Sequence, residues 1–221
     1  MLKIENVVGL CDSHITSLEC GARVSAEIEK PWSRLCLDAK RAGFDPQIAS
    51  GYRDFYRQKQ IWNGKAEARI PVLDANEQLL DILKLPVIER ITAISHWSAI
   101  PGLSRHHWGS DFDIFDASAV PTNYRLQLTC IEAETIFAPF YGWLNEYLNE
   151  HDEFYRPYDG SGLIAEEPWH LSFRPLAQHM PRLIDESFLA DLLRREQIAY
   201  SDVLLEDLGG FMRRYMGFYA V

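Results

Sequence analysis

The chain has 221 residues, 47% of them hydrophobic, enough for one sizeable core and a single domain over residues 1–221. Its 22 Lys and Arg against 32 Asp and Glu leave a formal net charge of -10, so it offers no positive footprint for nucleic acid or for anionic membrane and wall polymers. No run approaches the about 18 apolar residues of a membrane span. The amino-terminal apolar run is broken by Glu5 and stops at Asp12, short of a signal-peptide core, so the expectation is a cytoplasmic protein with Cys11, Cys20, Cys36 and Cys130 as reduced thiols.

Residues 24–43 read as a helix, with Pro31 in its first turn, Leu35, Cys36 and Ala39 as an apolar stripe, and Gly43 at the stop. Residues 47–53 read as a short strand. Asp54 then caps a helix that runs to about Asn63 and ends at Gly64. Residues 76–97 form an apolar helical stretch, capped by Asn76 and split by Pro86 into two short helices. This stretch suits core packing, and its position also permits a lid. Residues 111–116 alternate in part and read as a strand. Residues 131–150 form an amphipathic helix with Ile131, Ile136, Phe137, Phe140, Leu144 and Leu148 on or near one face. Residues 155–163 are rich in Tyr, Pro, Gly and Ser and form a loop. Pro168 pushes Glu167 into an extended conformation, and the segment to Phe173 reads as a strand. After Pro181 the chain reads as helix to its end, with a break near Gly209 and Gly210. Helix runs around separated short strands indicate an α+β fold, with a core over about 24–175 and a helical extension over about 181–221.

Three stretches carry the chemistry: Ser-Gly-Tyr-Arg at 50–53, Ser-Arg-His-His-Trp-Gly-Ser-Asp-Phe-Asp at 104–113, and Glu-Pro-Trp-His at 167–170. Together they supply histidines, aspartates and a spare glutamate. Two neutral imidazoles and one carboxylate make a three-ligand set that leaves the fourth tetrahedral position of zinc open for water. Gly109 lets a loop histidine, His106, turn back over a strand aspartate. Asp111 and Asp113 share one face of that strand, so spacing does not decide which is the ligand. Glu167 lies three residues before His170. Positions i and i+3 of a strand point to opposite faces, so this pair requires a bend, or a Glu167 just outside the strand, where Pro168 favours it. An isolated Glu-x-x-His is a weak signal; with His106 and Asp113 upstream it becomes strong. His14, His96, His151 and His179 have no ligand partner at a useful spacing and read as surface or structural residues. His107 suits a supporting role, Trp169 suits packing, and Tyr155 and Tyr158 are placed to line a cleft.

The three blocks and their order resemble the VanY-type D-alanyl-D-alanine carboxypeptidases over about residues 48–173. That family belongs to the LAS group of zinc peptidases, with lysostaphin, the vancomycin-resistance D,D-dipeptidases and the hedgehog amino-terminal domain. The resemblance implies a small antiparallel sheet carrying the site, with helices packed around it. It also implies one zinc ion held by His106, Asp113 and His170, with Glu167 as catalytic base. Arg53 would contact the substrate's carboxylate or the scissile carbonyl, and Gln60 and Ser104 would line the site. Asp111 stands where the family commonly has Ala, and Asp54 where it commonly has Ser or Thr; neither change removes a catalytic group.

The function implied is zinc-dependent hydrolysis of D-alanyl-D-alanine-type bonds in peptidoglycan-derived peptides, with Glu167 taking the proton of a metal-bound water. One alternative is an L-alanyl-D-glutamate endopeptidase of the lysin type. Another is a non-catalytic zinc-bearing binding domain, which would need neither Glu167 nor Arg53.

Overall fold

The computed structural model describes residues 2–216; the expectations that fall on Met1 and on residues 217–221, helix to the chain's end among them, lie outside the described residues. In chain order the elements are α1 (Ile4–Val7), a hairpin of β1 (Ile15–Ser17) and β2 (Arg23–Ser25), α2 (Glu29–Arg41), β3 (Pro46–Ser50) and α3 (Phe55–Ala66). A second hairpin, β4 (Val72–Leu73) with β5 (Leu79–Leu80), precedes α4 (Val87–Trp97) and β6 (Asp111–Asp116). Then come α5 (Cys130–Glu134), α6 (Ala138–Glu150), β7 (Phe154–Tyr155), β8 (His170–Phe173), α7 (Arg174–Ala177), α8 (Glu186–Arg195), α9 (Ser201–Glu206) and α10 (Leu208–Met216).

The site is set by four of these strands, which form an antiparallel sheet in the order β3-β6-β8-β7. Alternation along β6 sends Phe112 and Ile114 to one face and Asp111 and Asp113 to the other. On β8 it separates Leu171 and Phe173 from His170 and Ser172. The register pairs Asp113 with His170 and Asp111 with Ser172, so four polar side chains share one buried face. On the apolar face, Trp32 of α2 meets Phe112 edge-on at 5.4 Å, and Phe154 meets it at 5.8 Å. The register shifts between Ile48 and Ser50, beside Asp113, and pairing of β3 ends there. The buried apolar side chains form one contiguous cluster from Val7 to Tyr215. Among the described residues no helix is long and apolar enough to cross a membrane, and the four cysteines form no disulfide.

Several elements differ from the sequence expectation. The helix expected from residue 24 begins at Glu29, because Arg23–Ser25 pairs with Ile15–Ser17 and a 3-10 turn follows. Asp54 caps α3 as expected, accepting from Arg57 N at 2.7 Å, but the helix runs through Gly64 to Ala66. Gly64 is there for packing. A Cβ would stand 2.8 Å from Ile70 Cδ1, and the returning amides of Arg69 and Ile70 donate to its carbonyl. Residues 76–85 are a hairpin strand and a 3-10 turn instead of a helix; only 87–97, after Pro86, is helical. The helix expected over 131–150 is two helices interrupted at Thr135–Phe137, and Ile131 is exposed. Tyr155 belongs to β7, not to the loop. The carboxy-terminal break falls at Asp207, ahead of Gly209 and Gly210, which lie inside α10.

Candidate metal centre

His106 sits on a 3-10 turn, Arg105–Trp108, that ends in Gly109 at φ 69°. The turn folds over β6 because Gly109 packs on the β1–β2 hairpin, where a Cβ would clash with Ile15 Cδ1. His106 Nδ1 donates to the Gly51 carbonyl at 2.9 Å, which leaves the Nε2 lone pair facing inward, 3.4 Å from Asp113 Oδ2. Across the ladder, His170 Nδ1 lies 2.9 Å from Asp113 Oδ1. The two imidazoles meet edge to face at 4.9 Å. One ligand atom each from His106, Asp113 and His170 lies within 4.8 Å of the others, and all three residues are buried. Tetrahedral ligands of zinc stand about 3.3 Å apart given their bond lengths, so this donor set fits the ion.

Glu167 lies just outside β8. A turn through Pro168 and Trp169, closed by His170 N donating to the Glu167 carbonyl at 3.1 Å, supplies the bend that i, i+3 spacing required. Its Oε2 is 3.6 Å from His170 Nδ1. Burial pushes the Glu167 carboxyl up to about 7. Burial also pushes His106 down, to about 3, so its ring is neutral. For His170 burial acts the same way, but hydrogen bonds to Asp111 and Asp113 outweigh it and hold the ring up to about 9.

The outer face of the centre is a buried network that the sequence did not reveal. His170 Nε2 donates to Asp111 Oδ1 at 3.3 Å, which turns Nδ1 toward Asp113 and Glu167. Asp111 in turn accepts from Arg105 Nε at 2.7 Å and Ser110 Oγ at 2.5 Å. Arg105 Nη2 donates to Ser172 Oγ and Tyr155 hydroxyl, and the guanidinium lies 4.6 Å from the Trp108 ring. The aspartate that spacing left ambiguous is therefore the one behind the histidine, and Asp113 is the one facing the centre.

Arg53 enters from the segment between β3 and α3. Its backbone is held on both sides: Arg53 N donates to the His106 carbonyl, and His107 Nδ1 donates to the Arg53 carbonyl at 2.6 Å. His107 Nε2 accepts from Gly102 N, and burial lowers the ring to about 4, so it is a neutral structural brace. The Arg53 guanidinium donates to Gln58 Oε1 at 2.9 Å and to Ser50 Oγ at 3.1 Å. Gln60, the glutamine expected here, instead faces solvent and accepts from Arg57; the structure brings Gln58 to Arg53 in its place. Counting five residues from the arginine onto the inner face of α3 would have found it. Ser104, Arg53, Tyr158 and Glu167 line a cleft of about 280 Å³ over the centre, with the β4–β5 hairpin supplying Leu73 and Glu77 to its rim. The Tyr158 ring stands 4.7 Å from that of His170.

A model of the VanY family, described as D-alanyl-D-alanine carboxypeptidase, matches residues 21–176. An uncharacterised protein of Haemophilus influenzae is 32% identical over 123 residues, which cover 53% of this chain and 92% of that protein. Among solved structures, VanYB in complex with D-alanine-D-alanine is similar with a TM-score of 0.53 and 22% identity, over 79% of this chain and 87% of that one. A mutant of the vancomycin-resistance D,D-pentapeptidase VanY in complex with Zn(II) gives 0.51 and 24%, over 72% and 77%. At these identities the two structures attest the fold.

Proposed function

The chain belongs to the VanY family of D-alanyl-D-alanine carboxypeptidases, and from that membership we propose that it is a zinc-dependent peptidase releasing the terminal D-alanine from peptidoglycan-derived peptides. The observation that carries this reading is the convergence of His106, Asp113 and His170 with a free carboxyl, Glu167, 3.6 Å from His170 Nδ1. When bound, zinc supplies a Lewis acid and brings the pKa of coordinated water to about 7. Glu167, outside the donor set and 3.6 Å from His170 Nδ1, is placed to take a proton and return it to the leaving amine. Arg53 is fixed by Ser50 and Gln58 and presents its remaining N–H groups to a substrate oxygen beside Glu167. Ser104 lines the same wall. No nucleophilic side chain is required. A cytoplasmic location would direct the activity to soluble precursors, recycled fragments or free dipeptide.

Digestion of a defined muropeptide set by the zinc-loaded protein, read by mass spectrometry, tests the proposal. Loss of a single terminal D-alanine is expected. Cleavage between L-alanine and D-glutamate would instead make it an endopeptidase, and binding with no cleavage would make it a recognition domain.

A further inference from the structure

The cleft has two rims of unequal firmness. One is the segment 127–129 ahead of α5. The buried Glu132 carboxylate holds it, accepting from the Gln127 and Thr129 amides and from the Tyr124 hydroxyl at 2.8 Å. The other rim is the β4–β5 hairpin, which supplies Leu73 and Glu77. Its strands pair only with each other among the described residues, and a two-stranded hairpin has little stability of its own. Val72 and Ile82 are buried at its two ends, whereas Leu79 is 78% exposed. Trp97 Nε1 donates to the Asp74 carbonyl at 3.1 Å and ties the turn to α4.

One bond crosses from rim to rim. Glu77 Oε1 accepts from Cys130 N at 2.6 Å. That amide is the first of α5, where the helix itself offers no acceptor. A carboxylate bound to an amide is roughly twice as strong a partner as a neutral acceptor. Glu77 reaches across from a left-handed backbone, φ 58°, which a residue with a side chain keeps only where its surroundings hold it. The turn on Asp74 sets that backbone: Glu77 N donates to the Asp74 carbonyl at 3.1 Å, and Asp74 N donates to the Gln78 carbonyl at 2.9 Å. The Cys130 thiol lies beside the same carboxylate; burial and Glu77 push it up to about 11.

We infer that Glu77 is the latch of a gate: by holding the β4–β5 hairpin on Cys130 it shuts the cleft on that side, so the end of a peptide enters and a chain that runs through is excluded. This rests on the peptidase reading and deepens it, since an endopeptidase needs room for chain on both sides of the cut. Opening swings the turn between Val72 and Ile82 and carries Leu73 and Glu77 away from Gln127, Leu128 and Thr129. The metal donors stay in place, because they hang on β6, β8 and the 105–108 turn.

The test compares the wild type with Glu77→Gly, both zinc-loaded. Glycine suits the left-handed turn, so this variant removes the latch and keeps the hairpin's shape. Hydrogen exchange at the Asp74 amide, read by NMR, reports opening of the hairpin. It is expected to rise about 10- to 100-fold, the range of a lost hydrogen bond to a charged group. Turnover is measured on D-alanyl-D-alanine, on a pentapeptide ending in it, and on that pentapeptide continued by two glycines. The wild type is expected to reject the continued chain. Glu77→Gly should raise kcat/KM on that chain, relative to the better short substrate, by about tenfold at unchanged zinc content. Glu77→Gln keeps an oxygen for the Cys130 amide and should restore most of the selectivity. Glu77→Asn, which also tolerates the left-handed turn, repeats the measurement should the glycine variant not fold. Unchanged hairpin exchange, faster exchange with unchanged selectivity, or a wild type that cleaves the continued chain as well as the short ones would overturn the inference. A wild type that cleaves none of the three would sink the peptidase reading and this inference with it.

Discussion

Asp111 and Asp113 are two positions apart on one strand face, and their surroundings separate them. Asp113 turns both oxygens toward His106 and His170. Burial by itself would raise Asp111; the Arg105 guanidinium and the bonds from His170 and Ser110 override it and hold the group down to about 2. Asp111→Ala would strand a buried guanidinium and remove the acceptor that orients His170. Loss of such an outer partner costs 10- to 100-fold in metal affinity, roughly, which competition with a chromophoric chelator would read; unchanged affinity would remove Asp111 from this role. Glu167→Gln is expected to separate chemistry from binding. Turnover should fall by about 10²–10⁴-fold while elemental analysis still finds one zinc per chain, and near-normal turnover would place the base elsewhere. The residue types that converge here were legible in the sequence, but spacing left Asp111 and Asp113 open, and the set His106, Asp113 and His170 came from the family resemblance. Arg105 was not legible, since an arginine in a motif gives no sign of being buried. Gln58 was passed over for Gln60, although helical counting from Asp54 puts Gln58 on the inner face of α3, where it meets Ala99.

At the scale of elements, the errors fall where turn chemistry opposes an apolar pattern. Leu79, Leu80, Ile82 and Leu83 space themselves well enough for a helix, but Asp74 Oδ1 accepts from Asn76 N and Gln78 N, and Glu77 adopts φ 58°. That Asx turn closes a hairpin, and the hairpin becomes a rim of the cleft. The broken helix near 135 carried a readable signal. Thr129 and Glu132 form a capping box for α5, and Pro139 suits the first turn of a fresh helix, not the interior of a long one. Where cap chemistry was read correctly, it positions the site. Asp54 starts α3 one residue after Arg53, and its side chain satisfies Arg57 N. Asp54→Ala should therefore lower stability by about 1 kcal/mol in chemical denaturation, and an unchanged midpoint would mean the cap contributes nothing.

For the whole molecule, the question is whether the helices after residue 184 belong to the working unit. The family match stops at residue 176. Yet Leu189, Leu192, Leu193, Ile198, Leu204, Leu208, Phe211 and Tyr215 are each at most 5% exposed. The loop between α8 and α9 clasps the second half of α3. Trp62 Nε1 donates to the Ala199 carbonyl at 3.0 Å, Asn63 exchanges hydrogen bonds with Gln197 and Ala199, and Tyr200 hydroxyl reaches the Ala66 carbonyl. Farther on, Tyr215 hydroxyl donates to Ser95 Oγ at 2.6 Å, on α4 just before Ser98. The extension thus braces α3, which carries Gln58, and α4, which leads into Ser98 of the cleft. Burial of a large apolar side chain contributes about 1.5–3 kcal/mol, so eight such residues rival the about 5–15 kcal/mol of net stability a domain has. A chain ending at Ile184 is therefore expected to lack a cooperative unfolding transition and to take up no stoichiometric zinc. Leu193→Ala, a gentler cut in the same layer, should cost about 2–5 kcal/mol in denaturant titration without changing zinc content at low temperature. A truncated chain that unfolds cooperatively and binds one zinc would show that the carboxy-terminal helices only decorate a core complete without them.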